Sequence, residues 1–170
     1  MLESAETGHA IAKATFAKVE PKLREALLNA QYDLKDSGRG PVLLLLSGLA
    51  GGGRSEIANR LSEWMDPRFI RVKAFGERTE EESAHPRAWR YWQALPPRGR
   101  LGIFTNAWYA ESLLEHLRGR IGRKSLEGYL ERVRRHEQML ADEGYTLLKV
   151  WLHMRKVDLR KKLARLDRDP

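Results

Sequence analysis

The chain has 170 residues, no cysteine, and 31 Lys+Arg against 23 Asp+Glu, a formal charge of +8. That length fits one domain with its own core, and the lack of cysteine excludes a disulfide framework and Cys-ligated zinc or iron–sulfur centres. The basic excess favours a polyanionic partner (nucleic acid, a phosphate polymer or a membrane surface), with plain solubility as the alternative.

Residues 8–36 read as one amphipathic helix, with Ile11, Thr15, Val19, Leu23, Leu27, Ala30 and Leu34 at helical spacing. Pro21 interrupts that pattern, so two helices meeting near Glu20 fit equally well. Ser37-Gly38-Arg39-Gly40-Pro41 is a stop and a turn. The apolar run Val42–Leu46 reads as a strand buried on both faces, as in a parallel sheet. It is far short of the roughly 18 apolar residues that span a membrane, and Met1–Glu6 carries no leader pattern. A cytoplasmic protein without a membrane segment is therefore expected. A hydrophobic share of 42% against 32% charged residues argues for a folded chain rather than a disordered one.

Ile57, Leu61 and Trp64 mark a helix, which Met65-Asp66-Pro67 ends. Residues 69–75 form a second strand and 76–88 a polar loop, with a short helix from Pro86 to Ala94. Leu101–Phe104 is a third strand, about 124–143 a long charged helix capped by Gly144, Tyr145–Leu152 a fourth strand, and about 156–167 a basic terminal helix. The alternation implies βαβ units and a three-layer α/β sandwich on a parallel sheet, with the site at the strand ends. The division expected is a helical extension over 1–36 and an α/β domain over 37–170.

The strongest motif is Gly48-x-x-x-x-Gly53-Arg54-Ser55, which fits G-x-x-x-x-G-K-[ST] except that Arg54 stands for lysine. Gly48, Gly51, Gly52 and Gly53 let backbone N–H groups wrap a phosphate at a helix N-terminus, and Ser55 takes the magnesium position. Arginine holds phosphate with a flat fork but follows a moving phosphoryl group less well than a compact ammonium. The plainer alternative is a glycine turn that lets the helix pack on the strand.

This loop, Trp64-x-Asp66-Pro67-Arg68, Thr79-x-Glu81-Glu82, His85-Pro86-x-x-Trp89-Arg90-Tyr91-Trp92, Leu95-Pro96-x-x-Gly99, Phe104-x-x-x-Trp108-Tyr109, Glu137-x-x-Leu140-x-x-x-Gly144 and Lys149-x-Trp151-Leu152-His153 come in an order that resembles the type-2 polyphosphate kinases. The opening Leu2-Glu3-Ser4-Ala5 and the long first helix look closest to the N-terminal half of two-domain polyphosphate:AMP phosphotransferases. The resemblance implies an adenylate-kinase-like P-loop kinase fold with five strands, of which four are visible here. It implies polyphosphate and AMP or ADP as ligands, Mg2+ as cofactor, and either a homo-oligomer or a catalytic partner domain. Phosphate contacts fall on Gly48, Gly51, Gly52, Gly53, Arg54, Ser55 and Arg90, and nucleotide or lid contacts on Asn106, Trp108, Tyr109 and Glu115. The departures are Ala50 where active members carry Asp, Arg54 for Lys, Thr105 for an acidic or amide residue, Asn106 for Arg, Ala107 for Ser, and His116 for Arg. They predict weakened or lost phosphoryl transfer, or a scaffolding half without catalysis.

Arg68, Arg71, Arg78, Arg87, Arg90, Arg98 and Arg100 form either a polyanion track or ordinary solvated charge. Glu80–Glu82 suit magnesium less well than solvent, and the tryptophans read as core, with Trp108 or Tyr109 as candidates to stack on a base. The histidines lack zinc spacing, so no metal-ligating residue is assigned. The basic tail permits nucleic-acid binding, but no base-reading motif supports it.

Overall fold

The computed structural model describes residues 10–48 and 51–166. Four parallel strands, β1 (Val42–Gly48), β2 (Ile70–Ala74), β3 (Leu101–Thr105) and β4 (Thr146–Leu152), form one sheet in the order β2-β3-β1-β4. The helices are α1 (Lys13–Asp36), α2 (Arg54–Trp64), α3 (Glu80–Ala84), α4 (Trp89–Ala94), α5 (Trp108–Leu117), α6 (Arg123–Asp142) and α7 (Lys156–Leu166).

The alternation along β1 sorts the core into two layers. Leu43 and Leu45 join Tyr91, Phe104, Trp108, Tyr129, Val133 and Leu140 under α4, α5 and α6. Leu46 joins Ala58, Met65 and Ile103 under α2, with Leu27 of α1 against the same cluster. Both faces are therefore covered, as a parallel sheet requires. All five residues of β3 are buried, so β3 and β1 form the centre.

α1 is one helix that contains Pro21, so the two-helix alternative does not hold. Its C-terminal turns are fastened to the chain after α2. Gln31, 2% exposed, donates from Nε2 to the Asp66 carbonyl at 2.9 Å and accepts the Asp66 N–H at 2.8 Å. The Tyr32 hydroxyl donates to the Asp66 carboxylate. The N-terminal part of the predicted apolar stripe lies open, with Ile11, Val19 and Leu23 exposed.

Two short elements differ from expectation. The polar loop after β2 contains α3, built on a capping box in which Thr79 Oγ1 accepts the Glu82 N–H and Glu82 returns an acceptor to the Thr79 N–H. The stretch after β3 forms α5, whose end Gly119 closes at φ +73. Among the described residues no helix is long and apolar enough to cross a membrane. The opening Leu2–Ala5 lies outside the described residues.

Candidate functional site

The connection after β1 runs over one face of the sheet and the connections on either side of β3 run over the other. The neighbouring strands β1 and β3 thus bracket a switch point, where α/β folds bind ligands beyond the carboxyl ends of the strands. On one side stands the glycine loop at the start of α2. On the other stands Asn106, directly after β3.

Leu49 and Ala50 lie outside the described residues, so the Ala50 departure has no structural counterpart here. Within the rest of the loop the glycines have different reasons. Gly53, the N-cap of α2, sits at φ +98, and a Cβ there would meet nothing within 4 Å among the described residues. Its requirement is conformational, and no described residue fills the space beside it. Gly48, at φ +141, packs so closely on β4 that a Cβ would lie 2.3 Å from the Leu152 carbonyl oxygen. The packing alternative therefore accounts for Gly48. Gly51 has φ +76, and Gly51 and Gly52 are half-buried. Ser55 is exposed on the first turn of α2, and Arg54 is half-buried beside it.

Arg54 reaches across the switch point, where its Nη1 donates to the Asn106 amide oxygen. Trp108 and Tyr109 open α5 and bend back to a buried carboxylate on α6. Glu137 Oε1 accepts Trp108 Nε1 at 3.1 Å and the Tyr109 hydroxyl at 2.7 Å, while Lys149 Nζ of β4 donates to Oε2 at 2.8 Å. Burial pushes the Glu137 carboxyl up, but the bonds from Lys149, Tyr109 and Trp108 outweigh it and hold it below its ordinary value. Trp108 is 2% exposed and also receives the Tyr129 hydroxyl on its carbonyl, so it is a core residue and unavailable to stack on a base. Tyr109 is half-buried.

The arginines divide between the two ends of the sheet. Arg68, Arg71, Arg98 and Arg100 flank or begin β2 and β3 at their amino ends. There they bond Asp66 (Arg68) and the carbonyls of Leu95 (Arg71) and Arg68 (Arg100), while Arg98 lines a groove with Trp92, Pro97 and Tyr145. They cannot join a track over the glycine loop. Arg90, 8% exposed, donates to the Gly76 carbonyl past the end of β2 and pairs with Glu82 at 3.2 Å. Arg78 donates to the backbone oxygens of Glu82 and His85. Glu115 accepts from Arg120 on the outer part of α5.

Among the described residues the donors beside the glycine loop do not fit magnesium, since Ser55 brings a hydroxyl but no carboxylate. A hard cation of this size needs oxygen ligands with one or two carboxylates among them. Among the described residues no group of three acidic or histidine side chains converges. The Asn106 amide oxygen is engaged by Arg54, Thr105 is buried in the sheet, and the carboxylate of the first α2 turn, Glu56, is bound by Lys162 at 2.6 Å.

A parallel sheet whose first strand runs through a glycine loop into a helix defines a P-loop-type kinase fold. The model of the family Polyphosphate kinase 2 matches residues 11–170, and the chain belongs to that family. It is 45% identical over 170 residues to the polyphosphate:AMP phosphotransferase of Pseudomonas aeruginosa, covering all of this chain and 34% of that protein. It is 33% identical over 146 residues to an AMP/ADP-polyphosphate phosphotransferase of Meiothermus ruber, covering 85% and 55% of the two chains. A crystal structure assigned to polyphosphate kinase 2 from Pseudomonas aeruginosa superposes with a TM-score of 0.91 at 44% identity, over 97% of this chain and 36% of that one. The chain spans about a third of the length of its P. aeruginosa relative and corresponds to the N-terminal part of the longer relatives.

Proposed function

We propose that this chain is a phosphate-binding domain of a polyphosphate:AMP phosphotransferase, with phosphoryl transfer weakened or lost. The observation that carries the reading is the switch point itself. Among the described residues Gly53 leaves open space at the head of α2, and one guanidinium, Arg54, spans the gap to β3. Backbone N–H groups at a helix start and a planar cation together suit a phosphate oxyanion. Polyphosphate and AMP or ADP are the ligands that the relatives' names suggest.

The same residues argue against efficient transfer. Charge that builds on a moving phosphoryl group needs metal and cationic side chains aimed at it. Among the described residues, the carboxylate on the first turn of α2, Glu56, is bound by Lys162, and the guanidinium is tied to Asn106. Arg90 is paired with Glu82, so a polyanion reaching it must first displace that carboxylate. No step is therefore assigned to magnesium.

A second reading, a scaffolding half that stabilises a catalytic partner, is favoured by β4. Among the described residues β4 is an edge strand, with Leu148, Val150 and Trp151 exposed, and an uncovered apolar edge invites pairing.

The scaffold reading predicts that the purified chain forms no ADP from AMP and polyphosphate with Mg2+ above background, and the phosphate reading predicts at most a small fraction of the turnover of an active family member. They part on binding. The phosphate reading expects tripolyphosphate to bind and Arg54→Met to weaken it about thirtyfold, the order expected when a charge-assisted fork is lost. Turnover within about tenfold of the active member would refute the loss of transfer, and absence of tripolyphosphate binding would leave only the scaffold.

A further inference from the structure

Two irregularities of the chain meet in one contact. Asn106 is the one non-glycine residue with positive φ among the described residues, at +53. Arg54 is the one departure of the glycine loop from its motif that lies among them. The two are 52 positions apart in sequence, and the Arg54 guanidinium donates to the Asn106 amide oxygen. Asparagine visits the left-handed region more readily than most residues, and such a conformation persists only where its surroundings hold it. Here the preceding residue is locked in the sheet, since the Thr105 carbonyl accepts the Phe75 N–H at 3.0 Å. The following residue leads at once into α5, whose first turn is held by Glu137. The backbone reversal at Asn106 is thus fixed on both sides.

A guanidinium carries five N–H donors in a rigid fork. The Asn106 contact uses one Nη1 hydrogen. The structure gives the Nε and Nη2 donors of Arg54 no partner among the described residues, and that edge is the one that meets two phosphate oxygens in a bidentate pair. An arginine stem free to rotate loses conformational freedom when it grips an anion, which weakens the complex. A stem already held across the mouth of the site loses less.

We infer that Asn106 is a positioning residue for the anion site: its amide oxygen holds the Arg54 guanidinium across the gap between β1 and β3, with the Nε/Nη2 edge turned to receive a terminal phosphate. The inference rests on the phosphate-binding reading above and adds to it the residue that orients the cation.

Tripolyphosphate titration of the full chain by calorimetry at low ionic strength tests it. Asn106→Gly is the informative variant, because glycine takes φ +53 without strain and removes the side chain that supplies the acceptor. Its thermal melt should stay within a few degrees of the parent. Its tripolyphosphate affinity should fall about tenfold. Asn106→Asp, which keeps an acceptor but sets a negative charge beside the phosphate, should fall at least as far. In an Arg54→Met background, Asn106→Gly should cause no further loss, since no guanidinium is left to orient. Asn106→Gly binding as tightly as the parent, or tighter, would overturn the inference and make the amide a competitor for Arg54. Losses that multiply in the double variant would overturn it as well, because Asn106 would then act independently of Arg54. A parent chain that binds no tripolyphosphate would instead remove the phosphate-binding reading, and this inference with it.

Discussion

Gly40→Ala is expected to destabilise the chain by about 3 kcal/mol or more, near the upper end of what overpacking usually costs. A Cβ at Gly40 would lie 1.8 Å from the Gly144 carbonyl oxygen and 2.6 Å from its carbon. Both atoms are backbone, so no side chain can swing aside. Nor can either segment retreat cheaply. Two residues after Gly40 the β1–β4 ladder begins with Val42 opposite Thr146, and the Thr146 N–H bonds the Pro41 carbonyl at 2.9 Å. Gly144 in turn closes α6 at φ +87, with its N–H on the Ala141 carbonyl. Gly144→Ala is the control. Its Cβ would approach only the Gly40 Cα, at 4.0 Å, so its cost is the positive φ, about 1 kcal/mol. In a chain of this length the Gly40 variant should lose roughly 6–12 °C of melting temperature and the control roughly a third of that. Equal melts for the two variants would refute the close approach of β1 and β4.

The strands were legible because their apolar runs are short, bounded and separated by turn residues. Val42–Leu46 is such a run, and it lies at the sheet centre with side chains buried on both faces. α1 was legible as a helix but not as one helix, since Pro21 interrupts its hydrogen-bonding pattern and only the three-dimensional course shows it continuing. α3 announces itself in Thr79-x-x-Glu82, a capping-box pattern that the surrounding polar residues disguised. α5 has no capping side chain at its start and two of its three leucines, Leu114 and Leu117, are exposed, so its periodicity was weak.

The site was legible only in part. The glycine loop lies within the chain from Gly48 to Ser55, and local spacing reveals it. What spacing does not reveal is the partner across the gap. Asn106 reads as a lost arginine, yet it is the acceptor for Arg54. The arginines near β2 and β3 looked like one track because they are close in sequence. In a parallel sheet, residues before and after a strand stand at opposite ends, so Arg68 and Arg100 are separated from Arg78 and Arg90 by the length of the strands. Gly40 illustrates the converse. It reads as a turn glycine beside Pro41, and its real constraint is the backbone of Gly144.

Glu137→Ala should cost about 3 kcal/mol and should loosen the end of the sheet where the site lies. Glu137 is 8% exposed, and its carboxylate gathers three donors from two elements, Trp108 and Tyr109 of α5 and Lys149 of β4. Its removal leaves the buried Trp108 N–H without an acceptor, at roughly 1–3 kcal/mol, and opens a small cavity beneath α5. The ammonium of Lys149 is half-exposed and returns to water at little cost. Glu137→Gln separates charge from shape, because it keeps an oxygen for Trp108 while losing the ionic contact with Lys149. Its sign with pH follows from the direction of the shift. The Glu137 carboxyl lies below its ordinary value of 4.5 in the folded chain, so its contribution is fully present above about pH 4.5 and is lost as pH falls through the folded value. The Lys149 ammonium is held above its ordinary 10.5 chiefly by its bond to Glu137. That contribution is complete below 10.5 and fades as pH rises through the raised value. Denaturant unfolding from pH 3 to 8 should therefore show a constant gap between parent and Glu137→Gln at neutral pH that closes on the acid side. No gap at neutral pH would show that Glu137 acts through shape alone. The first turn of α5 begins two residues after Asn106, so the Ala variant should also weaken tripolyphosphate binding, whereas Gly144→Ala, at the other end of the sheet, should not.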